Sequence, residues 1–279
     1  MELDVNELFF WDPILLAGTP FEINRVVLLM FLASILCMAF FLIGARRVAA
    51  VPKGIGLAAE EAYMFVRNQI AIDVIGPEGI KYAPFLASLF FFIFFCNLLE
   101  IVPGINFPVT SRMAIPAFLA LLSYVVFVIV GIRKQGLKYF VNTLFPPGVP
   151  LAIKPLLALI ELFSTFFFRP LTLAIRLLAN MMAGHVLLTI FFLFTDTFIL
   201  GGDLVAIPLG VVTLLVACVL IVFELLVITL QAYIFTMLTA FYISESLHGH
   251  VEEEEHSQPQ REGSQHEAQQ ETEGVREAA

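Results

Sequence analysis

Two apolar runs in the second half of the chain, residues 155–195 and 204–244, decide most of what it can fold into. Each is 41 residues long. Read as one helix, either run would be about 60 Å long, twice the roughly 30 Å of a bilayer core. Dividing the second run into two spans would require a turn near its middle. That middle reads IVFELLVITLQ and has no Gly, Pro, Asn or Asp to make one. The runs therefore predict two very long, tilted membrane helices in a hairpin, the first kinked at Pro170.

The rest of the chain agrees with a membrane setting. Hydrophobic residues make up 59% of the 279 residues and charged residues 14%, against roughly 25% in ordinary soluble domains. Residues 26–45, 82–99 and 113–132 are long enough to span. Residues 57–76 carry Glu60, Glu61, Arg67 and Asp73, too many charges for a span, and read as an interfacial helix whose apolar face is not clean. FPPG at 145–148 stops a helix. The expected fold is an all-α polytopic membrane protein. Its parts are a short external N-terminus (1–25), a spanning region (26–132), a cytoplasmic loop (133–154), the long hairpin (155–247) and a disordered acidic tail (248–279).

Charge placement orients it. The loops 46–81 and 133–154 hold nine of the 15 Lys and Arg residues, whereas 1–25, 100–112 and 196–203 hold two. The positive-inside rule puts the N-terminus outside and the tail in the cytoplasm. The formal charge of −9 is mostly the tail's own, since residues 248–279 hold nine Glu and two Arg. The tail reads as solvated chain, and its His248, His250 and His256 as part of it rather than a metal site. Cys37, Cys96 and Cys218 sit in apolar runs and read as small buried hydrophobes, not disulfide partners. Residues 1–12 lack the basic start of a cleavable leader.

The chemistry lies in polar groups placed where lipid is expected. An arginine at the bilayer centre costs about 2.5–3.5 kcal/mol on insertion scales, and no carboxylate lies within one helical turn of Arg176. At 100° per residue, Glu161, Arg169, Arg176 and Asn180 share one helix face, and His185 lies half a revolution from Arg176. Glu224 has twenty uncharged residues on either side, and Gln231 shares its face. Arg169 either snorkels or pairs with Glu161, two turns earlier, or contributes to a channel. His185 is a satisfied core histidine or a titrating group. Glu224 pairs with it across the hairpin or joins it in a proton relay. Asn97 and Glu100, ending the second span, are an interfacial cap or a channel mouth.

RPLTLAIRLLANMMAGH (169–185), followed by FELLVITLQAYIFTMLTAFY (223–242) and preceded by FFCNLLEIVPG from residue 92, resembles subunit a of the F-type ATP synthase. The resemblance covers most of residues 20–245. It implies a stator subunit that forms two proton half-channels, non-catalytic by itself. Arg176 would face a carboxylate on a rotating c-subunit ring. His185, Glu224, Asn180 and Gln231 would line the outer half-channel, with Asn97 and Glu100 near its mouth and Glu161 toward the cytoplasmic exit. Glu100 stands where other members often have aspartate, and the glutamate-rich tail is unusual. Implied partners are the c-ring, the subunit b stalk, the F1 sector, lipid and protons, with no nucleic acid and no cofactor. The implied location is a bacterial plasma membrane, ahead of an organellar inner membrane. The competing reading is an autonomous proton-coupled secondary transporter, which the lack of an internal repeat disfavours. There is no G-x-x-x-x-G-K-(S/T) phosphate loop, so nucleotide chemistry would belong to partner subunits.

Overall fold

The structure, a computed structural model, describes residues 24–45, 54–102, 104–136, 138–144, 153–201 and 206–248. The N-terminal segment 1–23, the FPPG break and the acidic tail lie outside them. Every regular element among the described residues is a helix. The chain divides into two compact units: one made of residues up to Val125 with Arg169–Phe241, the other of Val126–Phe168 with the residues from Tyr242 on.

In the first unit, α1 (Arg25–Ala45) opens where the Asn24 side chain accepts the Val27 N–H at 3.1 Å, a helix N-cap. It packs on α2 (Ile55–Phe65) and α3 (Ala83–Leu98). A Cβ built on Gly44 would lie 2.5 Å from that of Ala59, so α1 and α2 touch at a residue with no side chain. After α2 the chain winds as a π-helix over Val66–Ile72 before one more α-turn, Asp73–Ile75. This explains the untidy apolar face expected of 57–76. The wider winding brings Val66, Ile70, Ala71 and Ile75 to the buried side, while Glu60, Glu61 and Asp73 stay exposed. Phenylalanines Phe40, Phe41, Phe91 and Phe95 interlock between α1 and α3, with ring centroids 5.0–6.1 Å apart across the two helices.

The span expected at 82–99 is realised as α3, with 16 residues. At 1.5 Å per residue it covers about 24 Å, less than a bilayer core, so a helix of this length starting at one surface stops inside the membrane. Four helical stretches among the described residues are long and apolar enough to cross: Arg25–Gly44, Ala114–Gln135, Lys154–Leu200 and Ile207–Leu247.

The long hairpin pairs α7 (Arg169–Leu200) with α8 (Ile207–His248), and both helices run past the expected C-terminal limits of 195 and 244. The first helix thus ends at Leu200 and the second starts at Ile207, later than the loop anticipated at 196–203. Thr195 and Thr197 are helical, and their hydroxyls donate back to the Phe191 and Leu193 carbonyls at 2.8 Å. Contacts run antiparallel along the pair. Gly210 packs on Ile199, Thr195 donates to Thr213 at 3.0 Å, Gly184 receives the Glu224 side chain, and Asn180 meets Gln231. Ser123 of α4 (Ala114–Gln135) accepts from Thr239 of α8 at 3.3 Å, both fully buried.

The second unit gathers the end of α4, α5 (Lys138–Leu144), α6 (Lys154–Phe163) and the last residues of α8. Gly136, with φ of 66°, ends α4 in the left-handed conformation that favours glycine. Tyr139 lies against Gly131, its hydroxyl 3.4 Å from Ser246 Oγ, while Gln135 donates to the Ser246 carbonyl at 3.0 Å. After α6 comes a π-helix, Ser164–Phe168, immediately before Arg169 and Pro170. Pro170 has no N–H for the preceding turn, and the backbone there is wound in the wider register.

Candidate functional site

The site is built on the two sides of α7. Its buried residues, Leu173, Ala174, Leu177, Met181, Gly184, His185 and Leu188, recur at three- and four-residue steps and form one stripe. Arg176 lies nine residues before His185, half a revolution away at 100° per residue. The side chains follow that geometry. His185 is 4% exposed, whereas Arg176 stands on the exposed stripe with Thr172, Ile175, Ala179, Asn180, Ala183 and Leu187. Arg176 makes no hydrogen bond or ion pair among the described residues.

Behind it lies a buried polar cluster. His185 Nδ1 is 3.7 Å from Glu100 Oε1, and Glu100 is 0% exposed. Asn97, one turn before Glu100, is equally buried and accepts a hydrogen bond from the Thr110 hydroxyl. Asn97 and Glu100 are therefore enclosed by the chain that follows α3, which folds back over them. Both carboxylate oxygens of Glu100 and the Asn97 amide nitrogen are buried without a hydrogen-bond partner among the described residues.

His185 and Glu224 are both buried in the hairpin. The imidazole turns to Glu100, while the Glu224 carboxyl seats on Gly184, where a Cβ would lie 2.6 Å from Glu224 Cδ. Only a residue without a side chain leaves that seat open. Glu224 is 5% exposed, and its Oε1 has no hydrogen-bond partner among the described residues. Two turns further along α8, the Asn180 amide donates to Gln231 Oε1 at 2.7 Å. Gln231 Nε2 stays buried and unpartnered there among the described residues.

Arg169 and Glu161 are the other two predicted residues. Arg169 is half-buried, and its carbonyl accepts the Thr172 hydroxyl at 3.1 Å. Glu161 belongs to the second unit and accepts the Thr165 hydroxyl at 2.8 Å. Of the cysteines, Cys96 is buried and Cys37 half-buried, but Cys218 is exposed, contrary to its expected burial; all three are free. Cys218 sits on the outward face of α8, where an apolar run still has one side turned away from its own chain.

Sequence reading passed over Thr110, Phe107 and Gly184. The signal for the first two was FPVT in a supposed loop, apolar residues with no reason to be in water. Phe107 and Val109 are in fact buried in the core with Cys96 and Leu99.

Residues 27–244 match the family model of the ATP synthase A chain. The chain belongs to that family. The ATP synthase subunit a of Rhodococcus erythropolis is 44% identical over 243 residues, covering 86% of this chain and 88% of that one. That of Frankia alni is 43% identical over 245 residues, covering 87% and 84%. That of Gluconacetobacter diazotrophicus is 43% identical over 233 residues, covering 82% and 90%. Membership of the subunit a family and four membrane-length helices make this a multi-pass membrane protein of bacterial type.

Proposed function

We propose that this chain is the stator of a rotary proton channel, in which Arg176 and the Glu100–His185 cluster work from opposite sides of α7. One observation carries the reading. α7 turns an arginine outward while turning a chain of buried titratable and amide groups inward. A guanidinium on an outward membrane face is costly against lipid. It is stable against a partner that brings a carboxylate, as a ring of small rotor subunits would. Asn97, Glu100, Glu224 and Gln231 each keep a buried polar atom without a hydrogen-bond partner among the described residues, and ordered water is what satisfies such atoms. Water and side chains together make a proton path.

In this reading protons enter from the outside at Asn97 and Glu100 and pass through His185 and Glu224. They reach the ring carboxylate near Asn180 and Gln231. Arg176 draws in the deprotonated carboxylate and keeps the entry path apart from an exit path on the cytoplasmic side, where Glu161 lies. The hold must be moderate, because one proton crossing supplies about 2.3 kcal/mol per 100 mV. A fully desolvated, permanent ion pair would stall the ring. The ring, a subunit b stalk and the F1 sector are the partners, and ATP chemistry takes place on those subunits. The N-terminus is external and the acidic tail cytoplasmic.

The test is ATP-driven proton pumping by the complex with Arg176→Ala in membrane vesicles. The reading predicts that pumping is lost while the complex still assembles and hydrolyses ATP. Normal pumping would refute it and revive the secondary transporter.

A further inference from the structure

The segment 104–111, between α3 and α4, is not a surface loop. Gly104 at φ 91° and Asn106 at φ 41° reverse the backbone, and asparagine is among the few residues that tolerate the left-handed region. The reversal turns Phe107 inward, where it packs among Val26, Leu29, Cys96, Leu99 and Val109. Three ties hold the segment. Arg25 of α1 donates to the Ile105 carbonyl at 2.5 Å, Thr110 donates to Asn97, and Ser111 donates to the Pro108 carbonyl at 2.8 Å. The Phe107 ring then meets the His185 imidazole nearly at right angles, with centroids 5.8 Å apart and planes at 73°. That is an edge-to-face aromatic contact.

This places two different neighbours on His185. Glu100 stands at Nδ1, at 3.7 Å, while Phe107 occupies another side of the ring. An imidazole able to rotate freely would present Nδ1 to Glu100 for only part of the time. One held by an aromatic partner is limited to orientations that keep the pair together. The Phe107 ring is apolar and 2% exposed, so it also keeps water from approaching His185 through segment 104–111.

We propose that Phe107 is a positioning residue for proton uptake, holding His185 toward Glu100 and closing the loop side of that pair to water. The inference rests on the channel reading above and adds a residue to it. Charged groups on α7, on α8 and on the segments beside His185 include Arg25, Glu100, Arg112, Arg169, Arg176, Asp196, Glu224 and Glu245. None changes when Phe107 is replaced, so a change in pH behaviour reports the ring itself.

The experiment measures passive proton conduction across the neutral pH range, per assembled complex, in vesicles stripped of the ATPase sector. The variants are Phe107→Leu, Phe107→Met, Phe107→Tyr and His185→Ala. Leu and Met fill the core without an aromatic ring, and Met keeps the complex testable if the shorter side chain impairs assembly. Both should lower conduction roughly two- to tenfold, the factor expected for loss of an aromatic pair, and displace its pH dependence. Phe107→Tyr, which keeps the ring, should restore the parental profile. Leu and Met profiles that superimpose on the parental one would overturn the proposal and leave Phe107 a packing residue. If His185→Ala conducts normally, the channel reading itself fails and takes the proposal with it. If His185→Ala blocks conduction while Phe107→Leu and Phe107→Met behave as the parent, only the proposal falls.

Discussion

The two sides of α7 present polar groups under opposite conditions. On the buried side, His185 is surrounded by its own chain: Glu100 at Nδ1, Phe107 across the ring, and Thr189 donating to its carbonyl at 2.7 Å. On the exposed side, Arg176 has no partner among the described residues, and Ile175 and Ala179 beside it are exposed as well. A buried polar group is stabilised by what surrounds it in the fold. An outward one at membrane depth has to be stabilised by something else. The difference teaches that the site is completed within the chain on one side and from outside it on the other.

Substitutions that unbalance the two sides should differ in size. The largest effect among the buried positions is expected at Gly184→Ala. Its new methyl group would displace the Glu224 carboxyl, since an ideal Cβ would lie only 2.6 Å from Glu224 Cδ. Because the displaced group is the end of a flexible side chain, the hairpin should still assemble. Proton conduction should nevertheless fall, by up to about 100-fold if a shift near 1 Å is as damaging here as at other positioned groups. Conduction measured per assembled complex decides it. Parental conduction would mean that the seat of Glu224 is irrelevant.

Gln231→Leu comes next. It removes the acceptor of the Asn180 amide, a hydrogen bond of the kind that contributes about 0.5–1.5 kcal/mol. Loss of roughly tenfold in ATP-driven pumping is expected, read by quenching of a pH-sensitive dye. Thr110→Val should do less. It removes the hydroxyl that holds Asn97 Oδ1 and should slow uptake a few-fold, consistent with about 1 kcal/mol for one hydrogen bond.

The smallest effect sharpens the comparison from outside the cluster. Thr239→Val deletes the contact to Ser123, which is buried but not part of the relay. Interhelical hydrogen bonds in membranes average about 0.6 kcal/mol, so thermal stability should drop slightly and conduction should not change. A large loss of conduction would show that the polar path runs further along α8 than Gln231.

Much of this fold is legible in the sequence because membrane helices leave a simple record. The turnless middle of 204–244 admits only one helix, and α8 is one. The half-turn between Arg176 and His185 follows from helix geometry alone, and burial agrees with it. Legibility fails where backbone winding or chain reversal intervenes. The π-helix at Val66–Ile72 changes which residues face inward, which a fixed 100° step cannot anticipate. Glu100 resembles a cap in the sequence because it follows a span. Its burial depends on α3 being short and on segment 104–111 folding back, a tertiary event with no local signal beyond FPVT. The approach of Glu100 to His185 depends on that same reversal.

If one helix separates a rotor-facing charge from an internal relay, passive proton leak in ATPase-stripped vesicles should distinguish two variants most directly. Arg176→Ala should raise leak or leave it high, because the separation between entry and exit paths is lost. His185→Ala should lower it, because the entry path is cut. Leak that moves in the same direction in both variants would contradict the account, since the two sides of α7 would then be doing the same job.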